Sequence, residues 1–81
     1  MPYIRQEDRK SLDEYLAQMP ELHSLGELDY LITKILLKTK PRSFTDFSAL
    51  IGTLECTKLE FYQRVVLGYE KKKMKQHGDV F

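Results

Sequence analysis

Apolar side chains return at three- and four-residue steps in three stretches of this chain, the spacing that lines one face of an α-helix. Leu12, Tyr15, Leu16 and Met19 form the first stripe. Ser11-Leu12-Asp13-Glu14 offers a capping box at its start, and Pro20 forces its predecessor out of the α region. The pattern therefore predicts a helix over 11–19 after a lead-in over 1–10. Leu28, Leu31, Ile32, Ile35 and Leu36 form a second stripe behind another capping box, Ser24-Leu25-Gly26-Glu27. That helix is predicted over 24–40, with Lys34, Lys38 and Lys40 near the negative end of its dipole and Pro41 closing it. The third stripe begins at Phe47, passes through Leu50, Ile51 and Leu54, and continues through Phe61, Tyr62, Val65 and Val66 to Tyr69. With Ser43 or Thr45 as cap and Asp46 in the first turn, it predicts a helix over 44–77 and a short tail over 78–81.

No stretch alternates strictly between apolar and polar residues, so strands are not expected. The predicted fold is all-α, a small three-helix bundle in one domain, with a long C-terminal helix that Gly68 is placed to kink. A helix of about 33 residues is about 50 Å long at ~1.5 Å per residue. A compact chain of this size is only about 30 Å across, from a radius of gyration near ~12 Å. The chain's 81 residues also lie near the lower limit for a self-sufficient core. Together these predict a homodimer or higher oligomer, with Phe61, Val65, Val66 and Tyr69 at the interface and Val80 and Phe81 docking from the tail.

Charge narrows the function classes. Thirteen basic against twelve acidic residues leave +1, so no global field draws the chain to nucleic acid or to an anionic membrane. Lys71, Lys72, Lys73 and Lys75 form a local basic tract on a helix end, without the interleaved aromatic residues of a single-strand binder. One cysteine excludes an intrachain disulfide, and two distant histidines offer no metal-ligand spacing. No signal peptide or membrane span is visible, so the expected setting is a reducing cytoplasm. There is no nucleophile elbow, metal motif or glycine-rich phosphate loop, and an enzyme or a cofactor is not expected.

Two polar sets stand beside the apolar stripes. On the third helix, Lys58 falls on or beside the seam, with Glu55 three residues before it and Tyr62 four after it, while Glu60 and Arg64 form an acid-first i,i+4 pair. On the second, Glu27, Tyr30, Thr33 and Lys34 share one side. Surface ion pairs account for both sets at a few tenths of a kcal/mol each. Converging in a cleft between the helices or at a subunit interface, they would instead hold an anion. Lys58 and Arg64 would then supply charge, Tyr30 and Tyr62 stacking or hydroxyl bonds, Thr33 a further hydroxyl, and Glu27, Glu55 and Glu60 would orient the cations.

Across nearly its whole length the chain resembles a family of short uncharacterised proteins of bacteria and tailed phages. The resemblance rests on residues 1–9 at the start, on Gly26-Glu27-Leu28-Asp29-Tyr30 with Thr33, on Leu54-Glu55-Cys56 with Lys58, Glu60-Phe61-Tyr62 and Arg64, on Tyr69-Glu70 with Lys73, and on Gly78-Asp79-Val80-Phe81. Gln63 departs from that pattern where a second arginine is usual, which weakens a double-arginine clamp, and His77 stands where asparagine is usual. The resemblance brings no activity with it. It does imply a bacterial or phage-infected cell, and small all-α phage proteins include sponges for the nucleotide signals of host defence, an analogy at the level of the fold.

The sequence thus favours a non-enzymatic protein that binds a small anionic, nucleotide-like ligand. The alternative is a structural or adaptor module acting through protein contacts alone, and an accessory to nucleic acid working through Lys71 to Lys75 is the third reading.

Overall fold

The computed structural model describes residues 3–81, so Met1 and Pro2 of the predicted lead-in lie outside the described residues. Among these the protein is all-α with no strand, and it has three helical runs. Helix α1 spans Gln6–Gln18, α2 spans Leu25–Lys38, and the third run is α-helical over Phe44–Phe61 (α3). It passes through a π turn at Tyr62–Val66 and resumes as α4 over Leu67–His77, a helix of 34 residues in all. The described residues fall into two units, 3–46 and Phe47–Phe81.

In the first unit, α1 begins at Gln6 rather than at the predicted Ser11. Arg5 Nε reaches Asp8 Oδ2 at 3.0 Å, and the Arg9 guanidinium donates to the Ile4 carbonyl at 2.9 and 3.0 Å. With Glu7 and Asp8 in the first turn, these contacts start the helix electrostatically, and Ser11 lies inside it with no capping role. Helix α2 does start at its capping serine: Ser24 Oγ accepts the Glu27 N–H at 3.1 Å. The Glu27 carboxylate accepts from the His23 N–H at 2.7 Å, one residue further back than in the standard box. The α2 helix ends at Lys38, two residues short of the predicted 40. Thr39 Oγ1 donates to the Leu36 carbonyl at 2.7 Å, and Lys40 takes a left-handed φ of 56° ahead of Pro41. The α3 start repeats the α2 start, since Ser43 Oγ accepts the Asp46 N–H at 3.1 Å and Asp46 accepts the Arg42 N–H at 2.9 Å.

The second unit is a single run of helix and its tail. Its irregular turn is not at Gly68, which sits inside α4, but at Tyr62–Val66. There the Leu67 N–H donates to the Tyr62 carbonyl, five residues back. A regular helix turns ~100° per residue, so Val66 would lie about 120° round from Leu54, and one extra residue in the turn brings it within about 20°. Leu50, Leu54 and Val66 are the half-buried apolar residues of this unit. After His77 the chain leaves the helix at Gly78, whose φ of 87° suits glycine.

No described residue is fully buried. A lone helix cannot build a core of its own, and the apolar side chains along the second unit show it: Phe47 is 53% exposed, Ile51 66%, Phe61 59%, Val65 53% and Tyr69 59%.

Candidate functional site

Helix periodicity alone sets the first polar group. Glu27, Tyr30 and Thr33 all stand on α2, in the first unit, and each has a local partner. Glu27 is held by the α2 cap, Tyr30 lies under the Lys34 ammonium at 5.3 Å from the ring centre, and Thr33 Oγ1 donates to the Asp29 carbonyl at 2.9 Å. Glu27 and Tyr30 do line one concave surface. It is a groove of ≈ 560 Å³, walled mainly by Met19, Leu22 and Leu31 together with Pro20 and Gly26. Thr33 is not among its walls.

With helices expected over 11–19 and 24–40, only residues 20–23 fall between them, and Met19 counts as the end of the first apolar stripe. What marks the connection is Leu22, since a connector has no solvation reason to carry an apolar side chain.

The second polar group, Glu55, Lys58, Glu60, Tyr62 and Arg64, belongs to the other unit. Lys58 Nζ lies 2.9 Å from Glu55 Oε1, and Arg64 Nε lies 2.7 Å from Glu60 Oε1. Both cations that would grip an anion are thus already matched by a carboxylate within one helical turn. The Lys58 and Glu55 side chains remain more than half exposed, so that pair is worth at most about 1 kcal/mol. Tyr62 opens the π turn and is about half exposed. The turn concentrates irregular backbone beside this charged cluster, a combination that often accompanies function.

Of the expected interface residues, Val66 is half-buried while Phe61, Val65 and Tyr69 are exposed. Tyr69 carries the Lys73 ammonium at 5.5 Å from its ring centre, repeating the arrangement at Tyr30. Val80 and Phe81, in the tail, have almost their whole side chains in solvent. Asp79 accepts the Phe81 N–H at 2.9 Å through Oδ1, which folds the tail into a tight turn. A second, smaller groove of ≈ 270 Å³ lies there, between Lys73, Met74 and His77 of α4 and the tail. Cys56 is exposed, and no group of three or more histidine, cysteine, aspartate or glutamate side chains is placed to hold a metal among the described residues. No helix among them is long and apolar enough to cross a membrane.

These features define an all-α protein with a long C-terminal helix. The chain belongs to the family described as domain of unknown function (DUF6899), whose model matches residues 1–80. No curated protein and no solved structure matches the chain.

Proposed function

We propose that this is a non-enzymatic interaction protein that works by self-association through the helix of its second unit. One observation carries the reading: the unit Phe47–Phe81 is one helical run with a short tail after His77, and the apolar face of that run has nothing within its own unit to cover it. A second copy is the occupant that the area fits. Phe47, Ile51, Phe61, Tyr62, Val65 and Tyr69 are each about half exposed or more. At roughly 100 Å² apiece they offer roughly 600 Å² per copy, approaching the ~800 Å² per partner of a standard interface. With a chain charge of only +1, two copies do not repel each other strongly. Sedimentation velocity across a concentration series tests the proposal. A reversible shift to a dimer or larger species is expected, and a monomer up to ~100 µM, well above a micromolar Kd, would overturn it.

A second reading is favoured by a different observation, that Glu27 and Tyr30 share one groove. In it the protein holds a small anionic, nucleotide-like ligand in the cytoplasm of a bacterial or phage-infected cell. Native mass spectrometry of protein purified gently from producing cells would then reveal a small mass that denaturation releases. A bare protein would leave self-association as the sole reading.

A further inference from the structure

We infer that the second copy pairs antiparallel, with its two-fold axis at Lys58; this rests on the self-association proposed above. The first ground is charge. Residues 44–57 carry Asp46 and Glu55 and no basic residue, whereas residues 59–77 carry Arg64, Lys71, Lys72, Lys73 and Lys75 against Glu60 and Glu70. The two halves are therefore −2 and +3. A parallel pair sets the basic half against itself, while an antiparallel pair lays the acidic half of each copy along the basic half of the other. The helix dipoles then also oppose, negative end beside positive end.

The second ground is the apolar pattern, which maps onto itself under reversal. A dyad at Lys58 sets Phe47 against Tyr69 of the second copy, Leu50 against Val66, Ile51 against Val65 and Leu54 against Tyr62. Such reciprocity is what an isologous two-fold contact demands of one surface. The π turn serves the match, because it turns Val66 to the side of Leu54 that a regular helix would deny it. Lys58 is then the polar residue at the centre of an otherwise apolar seam. Its bond to Glu55 within the same helix places two such pairs beside the dyad. A lone seam lysine costs stability and fixes register, since any slip buries it against apolar side chains.

Pulsed dipolar spectroscopy on the full chain reads the orientation directly. Nitroxide labels are placed at native Cys56 and, in a Cys56→Ser background, at Ser48→Cys or Gln76→Cys, all exposed positions. In the antiparallel pair, like labels stand two, ten and eighteen residues from the dyad. Their separations along the axis are then about 6, 30 and 54 Å at ~1.5 Å per residue. Cys56 labels should therefore couple at short range, Ser48 labels near 30 Å and Gln76 labels beyond 50 Å. Short distances at all three positions, set only by the ~8–10 Å between axes and the label arms, would show a parallel pair and overturn the inference while leaving self-association intact. A monomer by sedimentation, with no dipolar coupling at any site, would overturn both.

Discussion

Replacing Lys58 with leucine separates the readings by the sign of its effect. The substitution breaks the 2.9 Å bond to Glu55, but that pair lies within one helix and its loss falls on free and paired chains alike. It therefore lowers helix stability by a few tenths of a kcal/mol without moving the association constant. Leucine and lysine have nearly equal helix propensities, so the backbone is not otherwise affected. At a seam, full burial of leucine contributes ~1.5–3 kcal/mol and half burial about 1 kcal/mol. One leucine from each copy gives about 2 kcal/mol, or roughly 30-fold in the dimer Kd. Sedimentation velocity on both proteins measures this, with circular dichroism confirming equal helicity. Unchanged or weaker association would refute the placement of Lys58 in the seam. Under the anion-binding reading, whose groove belongs to the other unit, the same variant should change neither association nor any small mass released on denaturation.

Ser24→Ala removes the oxygen that accepts the Glu27 N–H, and a loss of about 1 kcal/mol is expected; Ser11→Ala, inside α1, should stay within ~0.5 kcal/mol. Urea denaturation of both measures the contrast, and equal losses would contradict the observed helix starts. Lys40→Gly relieves a side chain held at a φ of 56° and should raise stability by about 1 kcal/mol, a gain of ~4–8 °C in Tm. A lower Tm in that variant would argue that Lys40 makes a contact worth more than the strain.

Much of the helical layout was legible because its boundaries are written in local chemistry. Ser24 and Ser43 cap the helices that follow them, and Pro41 stands just beyond the end of α2. The same chemistry misled at Ser11, where a serine followed three residues later by glutamate satisfies the capping pattern. The helix had already begun through charges at Arg5, Asp8 and Arg9 that no capping rule counts. The left-handed residue after α2 was hidden because lysine, not glycine, occupies it. The π turn has no marker either: Tyr62-Gln63-Arg64-Val65-Val66 contains neither glycine nor proline, and Gly68 drew the expected kink two residues too far along. The i,i+3 and i,i+4 ion pairs were readable from spacing, since helix geometry alone places their charges together. Convergence of the α2 and α3 polar groups was not readable, because spacing assigns a residue to a face and says nothing of what that face meets.

The π turn also changes how this helix tolerates changes in length. Removing one residue from most places in a long helix swings everything beyond it by ~100°, so an apolar face on one side of the cut loses its continuation on the other. Between Tyr62 and Val66 the chain already accommodates a residue more than a regular turn needs. Loss of Gln63 would let that turn close in the ordinary way, leaving Leu67–His77 at nearly the angle to Phe44–Phe61 that it now holds. The stretch where backbone geometry is least regular is thus the one place along these 34 residues where the chain can shorten by one without breaking the continuity of its face.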